Sequence, residues 1–191
     1  MKSHRKKRCC VSLKSAATKG GCSVLAIIGL VLSMTSTHVR TNKEGLEIIG
    51  NAEGCMRNPY VCPTGYLTVG IGSRIYSDEP AVRREGLTDQ EIADRWVKNI
   101  QEAEKCVNDW FHGKDMNTNQ FSAMTSMVFN HGCTRLRKNK DGSPTKIYTA
   151  ARKQNWTEMC NRITDWDMGG KYRGLTIRKQ KEKALCLKPV Q

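Results

Sequence analysis

The 191-residue sequence has no C-x-x-C pair, and its four histidines are scattered along the chain. Zinc sites built from cysteine and histidine need closely spaced ligands, so we expect no metal and no cofactor. Aromatic residues make up only 6% of the chain, and no known nucleic-acid-binding motif occurs. We therefore expect no nucleic acid partner. The net charge of +14 instead favours an anionic membrane surface or an acidic wall polymer.

A long hydrophobic run is also lacking. The apolar part of segment 22–39 extends only from Val24 to Leu32, with serine, threonine and glycine on its flanks, whereas a transmembrane helix needs ~20 apolar residues. The first 20 residues carry seven lysines and arginines and no acid. This bias predicts that residues 1–21 form a basic cytoplasmic head and that the rest of the chain is exported.

Three interpretations of segment 22–39 remain open: a cleaved signal peptide, a permanent anchor, and a temporary anchor that later leaves the bilayer. The basic head and short apolar core are typical of a signal peptide, but nothing like Ala-x-Ala closes the segment. The weak hydrophobicity fits a temporary anchor best. We favour the uncleaved interpretations.

Cysteine is abundant for a chain of this size. Nine cysteines are too many for a protein that stays in a reducing cytosol, so they predict disulfides in an oxidising compartment. Because the number is odd, at least one cysteine has no partner within the chain.

Residues 40–191 have the pattern of one α+β domain. Leu46, Ile49 and Ala52 predict a short helix that ends near Glu53, and the segment "YLTVGIGSRI" alternates as a small hairpin does. The segments after this hairpin have helical patterns, and we expect them to form a helical C-terminal lobe. The domain therefore combines a small β element near its N-terminal side with a mainly helical remainder.

The helices of that lobe have recognisable ends and faces. Thr88 and Glu91 form a capping box, and Gly132 ends the helix in "NQFSAMTSMVFNHG". Further helices are predicted over 145–153, 158–166 and 175–186. The helix after Thr88 has an apolar face of Ile92, Trp96, Ile100, Ala103 and Val107, and the next one turns Phe121, Met124 and Val128 inward. His131, near the end of that helix, is expected to be a surface residue or to stabilise the helix dipole.

Three chemically useful residues surround the predicted hairpin. Glu53 closes a helix, Cys62 follows nine positions later, and Thr68 six positions after that. Desolvation can raise the pKa of a carboxyl group at the margin of an apolar element, so Glu53 can hold a proton near neutral pH. A sulfur and a hydroxyl opposite could orient a water, as acid-catalysed glycoside hydrolysis requires. On spacing alone, a surface Glu, a disulfide Cys and a strand Thr remain the better interpretation.

The residues around these three favour the catalytic interpretation. The stretch from Glu53 to Gly72 contains E-G followed by "YVCPTGYLTVGIG", which resembles the phage-type lysozyme or endolysin family of muramidases. The family motif, E-G…Y-x-[DC]-x-x-G-x-x-T-x-G-x-G, is complete here. The resemblance continues through "NQFSAMTSMVFNHGC" and "GLTIRKQKEKALC", and so covers roughly 44–187. One departure is Ser73, where the family usually has His.

The resemblance implies a lysozyme-like fold and hydrolysis of the β-1,4 bond between N-acetylmuramic acid and N-acetylglucosamine in peptidoglycan, by a monomer. Glu53 would be the general acid. Cys62, where many members have Asp, and Thr68 would position or activate the attacking water, with inversion at the anomeric carbon. Arg178 and the neighbouring lysines would either line the substrate side or form a solvated helix face.

The cysteines resemble those of the signal-arrest-release subgroup of phage endolysins. In that subgroup the enzyme is held inactive on the host inner membrane and then released to the periplasm. A Cys55–Cys62 bridge would block the catalytic sulfur until Cys22 attacked Cys55 and formed a Cys22–Cys55 bridge, which would leave a Cys62 thiol in the active form. The resemblance also implies structural bridges Cys106–Cys133 and Cys160–Cys186, and it gives no role to Cys9 and Cys10. The rival functions are a cationic membrane-disrupting protein and an inactive wall-binding module.

Overall fold

The computed structural model describes residues 20–34, 39–62 and 65–190. The basic head up to residue 19, with Cys9 and Cys10, lies outside the described residues. Helices occupy α1 Val24–Ser33, α2 Lys43–Glu53, α3 Asp89–Trp110, α4 Thr118–His131, α5 Cys133–Arg137, α6 Lys146–Arg152, α7 Trp156–Asn161 and α8 Arg173–Leu187. Strands occupy β1 Met56–Val61, β2 Leu67–Gly70 and β3 Ser73–Arg74. The predicted α+β class is confirmed.

The strands form one antiparallel sheet in the order β1-β2-β3. The predicted hairpin corresponds to β2 and β3, and β1 adds a third strand that the alternation did not predict. Tyr60 lies opposite Thr68, which in turn lies opposite Arg74. The tight turn between β2 and β3 depends on glycine, since Gly70 and Gly72 have φ values of 63° and 65°.

Helix α3 begins as the sequence predicts. Thr88 and Glu91 form the reciprocal capping box, which satisfies donors at the helix start that would otherwise have no partner. The five apolar residues of its predicted face are all buried. The whole face therefore packs in the core.

Helix α4 is the central element of the helical lobe. It packs against α2, α3 and α8, and every residue from Phe121 to Phe129 is buried. The three predicted inward residues are among them. The sequence predicted one buried face for α4, but the buried surface extends around the helix because neighbouring elements cover it on several sides.

The weak apolar segment forms α1 in this structure. Ile27, Ile28 and Val31 are buried where α1 packs against α2 and α3. Gly50 of α2 permits this close approach, because a Cβ there would lie 2.5 Å from a methyl carbon of Val24. No helix among the described residues is both long enough and apolar enough to cross a bilayer.

The later helices follow the predicted order with one difference. The segment predicted as a single helix over 158–166 is α7 followed by a 3-10 turn at Arg162–Trp166. Helix α8 begins two residues earlier than predicted and packs against α4 and α2. This contact brings the basic C-terminal helix to the end of α2, where Glu53 lies.

Candidate active site

Glu53 is the last residue of α2, and its side chain is fully buried. The β2–β3 turn covers it closely: a Cβ added to Gly72 would lie 2.8 Å from Glu53 Oε2. Only glycine fits between the turn and the carboxylate without displacing one of them. The turn and the end of α2 therefore fix the position of the acid together.

Tyr60, on β1, lies close enough to Glu53 for the charge of the acid to affect its pKa. Burial, and secondly the negative charge of Glu53, raise the pKa of Tyr60 to about 12. Tyr60 also lies opposite Thr68 in the β1–β2 ladder, and its hydroxyl is buried with no hydrogen-bond partner among the described residues. The phenol is therefore a neutral group near the acid. The sequence identifies Tyr60 only as part of the family motif, and it does not predict that the phenol lies near Glu53.

Cys62 directly follows β1, and Thr68 is the second residue of β2. The Cys62 amide donates to the Tyr66 carbonyl at 2.9 Å, and the Thr68 hydroxyl donates to the same carbonyl at 3.1 Å. Both side chains are buried, with exposed fractions of 2% and 1%. The Tyr66 carbonyl therefore connects the two residues, and both side chains lie inside the protein.

Arg178 lies inside the protein beside the acid, so the alternative of a solvated helix face is wrong for this residue. Its exposed fraction is 6%, and its Nη1 lies 3.6 Å from Glu53 Oε1. Its Nε donates to Glu182 Oε1 at 3.1 Å. Arg178 therefore lies between two buried carboxylates, because α8 packs against both α2 and α4.

The second carboxylate belongs to a buried ionic cluster between α4 and α8. Lys179 Nζ and Ser126 Oγ both donate to Glu182 at 2.6 Å. Burial alone would raise the pKa of Glu182, but the charges of Lys179 and Arg178 outweigh it and hold the pKa below its usual range. Glu182 is therefore an anion that balances the two cations.

A groove of about 440 Å³ runs between α2 and α8. Glu47 and Asn51 line it from α2, and Arg178 and Lys181 line it from α8. Arg178 is the residue that this groove shares with the surroundings of Glu53, whereas Glu53, Cys62 and Thr68 do not line it. No cluster of three or more possible metal ligands occurs in the described ranges.

Ser73, which departs from the family pattern, forms a hydrogen bond with α3. Its side chain is buried, and its hydroxyl accepts a hydrogen bond from Asn99 Nδ2 of α3 at 2.8 Å. Serine therefore connects the sheet to α3 at this position.

His131 differs from its expected role. Its ring is largely buried against Trp166, with the ring centroids 4.8 Å apart. Burial, and then the nearby charges of Lys179, Arg178 and Arg135, lower the pKa of His131 to about 2. It is therefore neutral near pH 7 and cannot stabilise the helix dipole as a cation.

Three disulfides lie within the described residues: Cys22–Cys55, Cys106–Cys133 and Cys160–Cys186. The first bridge lies beside main-chain pairing of the segment before α1 with β1, where Arg57 N donates to Gly20 O at 2.7 Å. Because Cys55 is bonded to Cys22, the Cys55–Cys62 bridge is not formed in this structure.

Cys62 is also disulfide-bonded, although it belongs to none of these three bridges. Its sulfur is therefore not a thiol in this structure. The expectation that a Cys22–Cys55 bridge is accompanied by a Cys62 thiol is not met here, because a second oxidation involves Cys62.

The chain matches the family model described as phage lysozyme over residues 50–182. It is 46% identical over 183 residues to a SAR-endolysin of Escherichia phage P1, which covers 92% of this chain and 97% of that protein. It is 39% identical over 160 residues to a SAR-endolysin of Haemophilus phage HP1, with 80% and 84% covered.

Two crystal structures of the P1 phage endolysin Lyz are similar to this one to different degrees. The active form matches with a TM-score of 0.77 at 47% identity, over 88% of this chain and 96% of that chain. The secreted inactive form matches with a TM-score of 0.54 at 51% identity, over 77% and 95%. The arrangement described above is therefore closer to the active form.

Proposed function

Because the chain belongs to the phage lysozyme family, we propose that it is an endolysin that hydrolyses the β-1,4 bond between N-acetylmuramic acid and N-acetylglucosamine in peptidoglycan. The observation that supports this best is the position of Glu53. Its carboxylate is fully buried beneath Gly72 and lies next to the Arg178 guanidinium. A buried carboxyl group in such a fixed position suits a general acid, because its geometry is set before substrate binds.

In the proposed reaction, Glu53 transfers its proton to the glycosidic oxygen as the bond from that oxygen to the anomeric carbon breaks. A water held by Cys62 and Thr68 attacks the anomeric carbon from the opposite face. The water gives up a proton to the Cys62 thiolate, and the product has the inverted configuration. Arg178 positions Glu53 through the ion pair between its Nη1 and Glu53 Oε1.

The acid role is tested with Glu53→Gln and the matched control Glu47→Gln, which changes the same residue type on the same helix. Reducing ends released from purified peptidoglycan should fall by about 10²–10⁴-fold in Glu53→Gln and remain near wild type in the control. NMR of the first product should show the inverted anomer. Undiminished hydrolysis by Glu53→Gln would refute the role.

The same variant separates the rival functions. A cationic membrane-disrupting protein would still kill cells and release dye from wall-free vesicles after Glu53→Gln. An inactive wall-binding module would sediment with peptidoglycan and release no reducing ends even as wild type.

We also propose that thiol–disulfide exchange controls the enzyme. In the inactive form Cys55 is bonded to Cys62; the Cys22 thiolate attacks the Cys55 sulfur, the Cys22–Cys55 bond forms, and Cys62 leaves as a thiolate. A Cys22–Cys55 bridge is the expected product of that step, and its presence in this structure supports the proposal. Since Cys62 is oxidised here as well, catalysis through its thiolate requires a further thiol to open that bond.

Peptide mapping without reduction tests this scheme. Membrane-bound protein should give a peptide linked through Cys55 and Cys62, and released protein should give one linked through Cys22 and Cys55. Once any other Cys62 disulfide has been reduced, Cys55→Ser should be active without any exchange by Cys22. Failure to find a Cys55–Cys62 peptide at any stage, or a Cys55→Ser variant that is inert until Cys55 is restored, would contradict the scheme.

The expected location follows from the same proposal. Residues 1–21 are placed in the host cytoplasm, segment 22–39 in the inner membrane for a time, and the domain from residue 40 in the periplasm. The short apolar core of the segment supports temporary retention, because few apolar residues hold it in the bilayer. Intact mass of the released protein tests it, and loss of the first 35–40 residues (roughly a signal peptide) would mean cleavage.

A further inference from the structure

A cluster of two tyrosines and an arginine lies beside the proposed catalytic threonine. Thr68 pairs with Arg74 across β2 and β3, and the bond from Ile75 N to Leu67 O (2.9 Å) continues this pairing. Alternate strand residues share a face, so Tyr66, Thr68, Arg74 and Tyr76 lie on one side of the sheet.

The opposite side of the same strands faces the core. Val69 pairs with Ser73, both are buried, and Ser73 is hydrogen-bonded to α3. The side that carries Arg74 is therefore the one directed away from α3. It is also the side of Tyr60, which is close enough for the charge of Glu53 to affect it.

The two tyrosines hold the arginine in place. The guanidinium carbon of Arg74 lies 3.9 Å from the centre of the Tyr66 ring and 5.0 Å from that of Tyr76. Stacking on aromatic faces fixes the plane of a guanidinium and leaves its N–H edge available for a planar anion. No carboxylate of the described residues forms an ion pair with Arg74, and Tyr76 is 41% exposed.

We propose that Arg74, oriented by Tyr66 and Tyr76, binds a carboxylate of the stem peptide carried by the muramic acid residue of the substrate. This inference rests on the proposed function. Peptidoglycan offers carboxylates on its peptides, and a guanidinium binds such a group through two parallel hydrogen bonds. Paired residues in an antiparallel sheet lie about 5 Å apart, so a sugar held at the site that includes Thr68 has its peptide within reach of Arg74, which is less buried than Thr68.

The test compares two substrates: soluble uncrosslinked peptidoglycan strands that keep their stem peptides, and the same strands after amidation of their free carboxylates. Wild type should show a KM about tenfold lower on the native strands, which corresponds to about 1.4 kcal/mol. Arg74→Gln should raise the KM on native strands to the value for amidated strands and leave kcat unchanged. Arg74→Lys should keep part of the preference, because the charge remains without the planar pair of donors.

Arg84→Gln is the matched control, since Arg84 is an exposed arginine in the segment between β3 and α3. It removes the same charge and should keep the wild-type preference. All assays use protein in which Cys62 has been reduced, and if neither substrate is then hydrolysed by wild type, the proposed function fails. If both are hydrolysed but wild type does not prefer the native strands, or Arg74→Gln raises both KM values equally, the carboxylate inference is overturned. Reduced stability of Arg74→Gln with an unchanged preference would also overturn it, because the cluster would then only hold the strands together.

Discussion

Replacing Gly72 by alanine tests the packing of the site most directly. The backbone of Gly72 has φ of 65°, and an added Cβ would lie 2.8 Å from Glu53 Oε2 and 3.3 Å from its Cγ and Cδ. Real Cβ atoms essentially never approach other atoms within 3.0 Å. Because the Glu53 side chain is fully buried, it cannot simply swing into solvent, so either the acid or the turn must shift.

The expected size of the effect has two parts. An alanine in the left-handed region costs about 1–2 kcal/mol, and this part lowers the free energy of unfolding. Displacing a catalytic group by about 1 Å can cost about 10²-fold in rate, and this part lowers kcat. Gly142→Ala separates them, since Gly142 has φ of 88° and nothing within 4 Å of its Cβ position.

The measurements are urea unfolding and the release of reducing ends from peptidoglycan. Gly72→Ala should lose at least as much stability as Gly142→Ala, and only Gly72→Ala should lose kcat by about 10²-fold. If Gly72→Ala is as active as Gly142→Ala, then the contact with the Glu53 carboxylate does not matter for the reaction. The assignment of Glu53 as a rigidly placed acid would then be refuted.

Two further predictions concern the buried groups next to the site. Glu182→Gln should lower the free energy of unfolding by about 3–5 kcal/mol, because it leaves the fully buried Lys179 without its anion. Urea unfolding measures this loss. The control Glu158→Gln removes an exposed ion pair and should change the stability little. Burial lowers the pKa of His131 from its ordinary value of 6.5 to about 2 in the folded protein. Below pH 6.5 the unfolded chain therefore binds a proton that the folded chain does not. The free energy of unfolding then falls as the pH falls, by at most about 1.4 kcal/mol per pH unit. His131→Gln should make the decline of stability between pH 6.5 and 4.5 shallower, and an identical decline would contradict the burial of a neutral ring.

Local pattern in the sequence determined much of the fold. The capping box at Thr88 and the face that begins at Ile92 predict α3 because a helix start and an apolar face depend on residues three or four positions apart. The motif from Glu53 to Gly72 indicated the family for a similar reason, since its spacing reflects one helix end and one turn. The third strand was missed because β1 contains Pro59 and lacks a clear alternation, and only its pairing with β2 defines it.

The charges around Glu53 were decided by tertiary structure alone. The sequence left open whether the basic residues of α8 line the substrate side or meet solvent, yet Arg178, Lys179 and Glu182 are buried because α4 and α2 pack against the helix. The apolar segment of α1 is likewise part of the core only because Gly50 and α3 provide a surface for it. Spacing along the chain determines which residues share one face of a helix or strand, but whether that face meets solvent, lipid or a second charged group depends on elements far away in the sequence.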